Sequence, residues 1–202
     1  MITEKDLKYM RVAGAVAAMS KAVNKHIGAV LVKDNTVVSI GYNGPPRGIE
    51  EVNNLTRFPE QIAVKIIKEM EKKYGRWDFS SPDQIHPDFI SDPRYLLGYG
   101  SGEGMKWMID AHAERNAIIN AARSGVSTVG TTLYAFCGIP CKECAIELIN
   151  AGIKRVVCFE QDMIPDDELT IENTNDYNFY LSRWLFNHAG IELEEIEREK
   201  TT

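Results

Sequence analysis

An α/β fold is what this chain predicts, and three observations carry the prediction. After His112, apolar strand-like runs alternate with segments of helical period. Before it, an amphipathic helix leads into a hairpin of two short apolar runs. The composition, 202 residues with 44% hydrophobic and 26% charged, is that of a soluble globular chain. A strand–helix–strand rhythm implies parallel pairing wherever a helix crosses between neighbouring strands. The length fits one domain over residues 1–202, with an insertion at about 50–110.

The elements follow in chain order. Leu7, Met10, Val12, Ala15, Val16 and Met19 recur near the 3.6-residue period, so a helix is expected from 4 to about 22, capped by Thr3-Glu4-Lys5-Asp6. Ile27–Val32 and Val37–Ile40, parted by Lys33-Asp34-Asn35, read as buried antiparallel strands. Gly41–Gly48, with two prolines, ends the second in a loop. Ile62, Ile66, Ile67 and Met70 mark an amphipathic helix, and a stretch dense in Pro, Asp, Gly and aromatics runs from Trp77 to Trp107. Its apolar content is thin for a core of its own, so the segment reads as an elaboration of one edge. Helices are expected at Ala113–Ser124, Cys141–Asn150 and Tyr177–His188, stopped at Gly125, Gly152 and Gly190. Strands are expected at Thr132–Phe136, Lys154–Phe159 and Ile191–Ile196.

Charge and composition narrow the function classes. A net charge of −6 and no long Lys/Arg run argue against a polynucleotide partner, which would want a basic face. No apolar stretch reaches the roughly 18–20 residues that span a bilayer, and the mixed-charge N-terminus lacks an apolar signal region, so no membrane partner and a cytoplasmic location are expected. All four cysteines, Cys137, Cys141, Cys144 and Cys158, fall in one short stretch, which in a cytosolic chain points to metal or catalysis before disulfides.

The chemistry rests on two short motifs, each where a loop enters a helix: His112-Ala113-Glu114 and Pro140-Cys141-Lys142-Glu143-Cys144. Cys141 and Cys144 share a helix face one turn apart, at an N-terminus whose free N–H groups favour thiolates. Two thiolates and the His112 imidazole make a three-ligand set suited to one Zn²⁺, with a fourth position left for water. Glu114, two residues from His112, is placed to serve as proton shuttle rather than ligand; H-x-E with P-C-x-x-C is the signature of the zinc deaminases. The competing reading is a structural or redox site, with Cys137 as the available fourth ligand. It leaves Glu114 and Pro140 without a purpose. Cys158 reads as a small buried hydrophobe and His26 as a surface residue.

In three places the chain resembles the deoxycytidylate (dCMP) deaminases of the cytidine deaminase-like superfamily. His112-Ala113-Glu114-Arg115-Asn116-Ala117-Ile118 is similar to the family's His-Ala-Glu run. Thr132-Leu133-Tyr134, Pro140–Ala145 and Ala151–Val157 are similar to its second half. Gly41-Tyr42-Asn43-Gly44 is similar to its nucleotide loop. The resemblance covers about 5–48 and 110–158 and implies a three-layer α/β/α sandwich around a five-stranded mixed sheet. It implies Zn²⁺ on His112, Cys141 and Cys144, proton transfer by Glu114, and hydrolysis of dCMP to dUMP and ammonia. Alternatives are a 5-substituted dCMP or another nucleotide as substrate, or a catalytically silent nucleotide-binding regulator. It also implies a homo-oligomer, commonly a hexamer, and dCTP and dTTP as effectors, with Mg²⁺ accompanying the triphosphate. By the same carry-over Asn43 meets the nucleotide's sugar, the Ala113 backbone meets the base, and Asn116 and Arg123 belong to the substrate-binding set; Asn43 as a turn residue and Arg123 as a solvated arginine remain the plain alternatives. After the fourth strand the family carries a Tyr where this chain reads Glu160-Gln161-Asp162-Met163.

Overall fold

The computed structural model describes residues 2–20, 22, 25–48, 68, 72, 110–161 and 178–198. The chain divides into two compact units, one of residues 1–20, 26–44 and 111–202 and one of 21–25 with 45–110. In the second, Lys68 and Lys72 are helical and exposed. The aromatic-rich stretch from Trp77 to Trp107, and the apolar positions of the helix expected over 62–70, lie outside the described residues.

The first unit begins with α1 (Glu4–Ala17), opened by a capping box in which Thr3 and Asp6 satisfy each other's backbone N–H groups. This helix stops before the expected 22. Ala17 lies so close to Gly28 that a Cβ there would meet its backbone nitrogen at 2.4 Å, and the chain turns back at Ala18–Met19 to enter the sheet. Strands β1 (Gly28–Lys33) and β2 (Thr36–Tyr42) form the expected hairpin. Its two-residue turn, Asp34-Asn35, has φ of 48° and 62°, the twist that suits tight hairpins. Then come α2 (Ala113–Arg123), β3 (Thr132–Ala135), α3 (Lys142–Asn150), β4 (Arg155–Phe159), α4 (Phe179–His188) and β5 (Glu192–Ile196).

The sheet has five strands in the order β2-β1-β3-β4-β5. β1 pairs antiparallel with β2 and β3, while β3–β4 and β4–β5 are parallel, crossed by α3 and α4. Alternation along the strands divides the core in two. Leu31, Leu133, Ala135, Val156 and Cys158 face Ala117 and Ala121 of α2, Ala145 and Leu148 of α3 and Phe186 of α4. Val30, Val32, Tyr134 and Val157 face Met10, Ala13 and Val16 of α1 on the other side. The expected three-layer α/β/α sandwich is what forms. No helix among the described residues is long and apolar enough to cross a membrane.

Candidate active site

α2 begins beside the end of β2, where Gly44 bridges Ala111, and α3 follows the end of β3; the site is assembled at those two helix starts. His112 is the N-cap of α2 and Cys141 the N-cap of α3, yet neither side chain caps its helix. Both turn instead towards Cys144, in the first turn of α3: His112 Nδ1 lies 3.4 Å from each of the two Sγ atoms. The three ligand atoms fall within 4.8 Å of one another, and both cysteines are buried.

This donor set fits Zn²⁺. Bonds of ~2.3 Å to sulfur and ~2.0–2.1 Å to nitrogen at a tetrahedral angle give an N–S edge of roughly 3.5–3.6 Å, against 3.4 Å for both edges here. Cys141 is pulled down to about 5, first by its hydrogen bond with Cys144 and then by His112, with burial opposing. His112 is pushed up to about 9, chiefly by its hydrogen bond with Cys141 and also by the charge of Glu114. The Cys144 thiol is held up by its bond with Cys141 and by burial. One protonated imidazole against one thiolate is an arrangement a divalent cation displaces, with release of protons. Among the described residues the converging group has three members. Cys137, the fourth ligand of the structural reading, sits instead against Glu114, with Sγ 3.8 Å from Oε1.

Glu114 is only 4% exposed, and burial raises its pKa. Its helix is held to β2 by three bonds. Ser39 Oγ donates to the Ala117 carbonyl at 2.7 Å, Asn116 Nδ2 to the Tyr42 carbonyl at 2.7 Å, and Asn120 Nδ2 to the Ile40 carbonyl at 2.8 Å. Gly41 permits this approach, since a Cβ there would lie 2.2 Å from the Ala113 carbonyl oxygen. Just ahead of His112, Ala111 and Gly44 exchange backbone bonds of 2.9 and 3.1 Å, which fixes where α2 starts. Arg115 adds a clamp from the other side, its Nε at 2.9 Å from both carboxylate oxygens of Glu147 on α3.

All four residues expected at the substrate are among those described. Asn43, 8% exposed, accepts at Oδ1 from the Ile27 N–H at 2.9 Å and the Ser20 hydroxyl at 2.6 Å, so its carbonyl end serves the loop. Asn116 donates one N–H of its amide to the Tyr42 carbonyl. Ala113 is buried at the first position of α2, beside the ligands. Arg123 is exposed at the far end of that helix, nine residues from Glu114 and therefore about 13 Å along the axis. The roles of Ser39 and Asn120 carried no sequence signal, since both are ordinary polar residues until β2 meets α2. Gln161, just after β4, lies over Gly138, where a Cβ would meet its Oε1 at 2.1 Å.

A family profile described as "Cytidine and deoxycytidylate deaminase zinc-binding region" matches residues 3–160. Deoxycytidylate deaminase of Enterobacteria phage T4 is 32% identical over 154 residues, spanning 75% of this chain and 75% of the phage protein. Human deoxycytidylate deaminase is 29% identical over 185 residues, 91% of this chain and 74% of that one. A crystal structure of dCMP deaminase from cyanophage S-TIM5, in complex with dCMP and dUMP, superposes with a TM-score of 0.56 at 20% identity, over 97% of this chain and 99% of the other. The paired motifs lie within the matched span, and the chain belongs to the cytidine and deoxycytidylate deaminase family.

Proposed function

We propose that this chain is a zinc-dependent deaminase that hydrolyses dCMP to dUMP and ammonia. The observation that carries the reading is the convergence of His112, Cys141 and Cys144 on one point, with a nearly sealed carboxyl two residues from His112. His112, Cys141 and Cys144 hold the metal, and Zn²⁺ bound by three protein ligands acidifies water towards a pKa of ~7. Glu114 moves the protons. Its carboxylate accepts one from the attacking water and delivers it to the ring nitrogen beside the amine-bearing carbon, which makes that carbon electrophilic. The water oxygen adds to that carbon, and Glu114 takes the second proton from the resulting hydroxyl and gives it to the amine nitrogen. The C–N bond breaks as the carbonyl forms, so that water and dCMP become dUMP and ammonia. Burial keeps Glu114's affinity for a proton high, as a group that both takes and returns one requires.

The backbone at Ala113 lines the base and Asn43 the sugar, each from an element end beside the ligands. The relatives' name supports dCMP as substrate. The segment Glu160-Gln161-Asp162-Met163, which lacks the Tyr of the resembled family, favours a second reading in which the base carries a 5-substituent. Self-association is part of the proposal. Ile119 on α2 and Ile146 on α3 are 51% and 47% exposed, and a groove of about 610 Å³ lined by Arg115, Ile118, Ile119 and Glu147 runs between those helices. An assembly of identical subunits, a hexamer by resemblance, covers such a surface. Activation by dCTP with Mg²⁺ and inhibition by dTTP complete the expected regulation.

Ammonia release from a panel of dCMP, CMP, deoxycytidine and 5-substituted dCMP, with and without each triphosphate, tests the reading. Turnover of dCMP well above the others is expected. Activity confined to a 5-substituted base would transfer the assignment to that substrate, and silence across the panel would overturn it in favour of a nucleotide-binding regulator.

A further inference from the structure

Cys137 is not a member of the ligand group, yet the fold fixes it beside the proton shuttle. Residues 136 and 137 prolong β3 on both sides: the Phe136 N–H donates to the Gly28 carbonyl at 2.7 Å, and the Phe159 N–H donates to the Cys137 carbonyl at 2.8 Å. Strand alternation then sets the side chains. Tyr134 and Phe136 face α1, whereas Leu133, Ala135 and Cys137 face α2 and α3, the side that holds Glu114. The thiol lies 3.8 Å from Glu114 Oε1 and 3.2 Å from the Gly138 carbonyl oxygen.

A carboxyl group turns over a broad torsional well about its last bond, so burial alone does not fix which oxygen points where. A thiol whose backbone is pinned at both neighbours supplies a fixed point. Its one S–H is a weak donor that rotates between the Gly138 carbonyl and the Glu114 carboxylate. We propose that Cys137 is a positioning residue for Glu114, its thiol holding Oε1 so that Oε2 is presented for proton transfer. The proposal rests on the deaminase reading of the same site.

The test compares Cys137→Ser, which keeps a rotatable donor, with Cys137→Ala, which removes it, in zinc-loaded enzyme. Substrate is whichever panel nucleotide the wild type turns over best. Measured are kcat, KM, zinc per chain, melting temperature, and affinities for dUMP and for a 5′-monophosphate whose pyrimidine ring carries a hydroxyl on a tetrahedral carbon. Cys137→Ala is expected to lower kcat about tenfold, the scale of one modest hydrogen bond. KM, zinc content and dUMP affinity stay as in the wild type, and the tetrahedral analogue binds more weakly by the same factor. Cys137→Ser restores kcat and analogue affinity. If Cys137→Ala fails to fold, Cys137→Val fills the volume without a donor and takes its place. Unchanged kcat in the donorless variant, a loss shared equally by dUMP and the analogue, or a serine no better than alanine would each overturn the assignment. A wild type active on another nucleotide corrects the substrate and leaves the Cys137 comparison readable; a wild type silent on the whole panel overturns both.

Discussion

On the proposed mechanism turnover depends on Glu114, a carboxyl group that the fold buries two residues from His112 of the ligand set. Glu114→Gln keeps the shape and removes the titratable carboxyl that takes and returns the proton. Turnover should fall by at least about 10²–10⁴, the usual worth of a positioned general acid/base, while zinc per chain and melting temperature stay at wild-type values. Gly41 acts through space rather than chemistry. A Cβ 2.2 Å from the Ala113 carbonyl forces α2 off the sheet, so Gly41→Ala should cost about 1–3 kcal/mol in denaturant unfolding and lower kcat as well. Gly125→Ala is the control: φ is +68° and the surrounding space is open, so a cost of about 1–2 kcal/mol is expected from backbone strain, with kcat untouched.

At the scale of elements, one carboxylate joins the first turn of α1 to two strands. Asp6 receives Tyr134 OH at 2.6 Å, Arg155 Nη1 at 2.7 Å, and the Thr3 N–H and hydroxyl at 2.7 Å each. Burial opposes its ionisation, but these donors, Arg155 foremost, hold its carboxyl well below the usual carboxylate range. Asp6→Asn leaves the Arg155 side chain, 14% exposed, without its full partner, and should destabilise by about 3–5 kcal/mol at neutral pH. A lowered folded-state pKa stabilises above the unfolded value of ~3.9. The stability gap between wild type and Asp6→Asn should therefore be constant above about pH 5 and shrink as pH falls below 4, which urea titrations at several pH values measure. The Arg115–Glu147 pair is a weaker strap, with side chains 38% and 39% exposed; solvent screening limits such a pair to roughly 0–1 kcal/mol.

For the whole molecule, metal and assembly are the two expectations. A chelator that strips the zinc should abolish ammonia release and lower the melting temperature, since a ligand bound only by the folded state stabilises it. Adding Zn²⁺ back should restore both, with elemental analysis giving one ion per chain. Ile119→Asp combined with Ile146→Asp should shift the mass measured by light scattering towards smaller species, because each places a charge on an apolar face. An unchanged mass would remove α2 and α3 from the interface.

The sequence by itself determined the α/β class, the order of helices and strands among the described residues (though the first helix ends at Ala17 rather than near 22), and the grouping of His112 with Cys141 and Cys144. His112, Glu114, Cys141 and Cys144 were legible because their chemistry is local: short spacings, each at the start of a helix, whose meaning survives without coordinates. Contacts between distant segments were not. Asp6 and Arg155 stand 149 positions apart. The bond from Asn116 Nδ2 to the Tyr42 carbonyl joins residues 74 positions apart. Cys137 is an available fourth ligand in the sequence until its backbone joins β4 and strand alternation turns the thiol towards Glu114. Only the tertiary structure decided these, because a polar side chain takes the partner that packing brings within about 3 Å, and one sequence does not state which elements will pack.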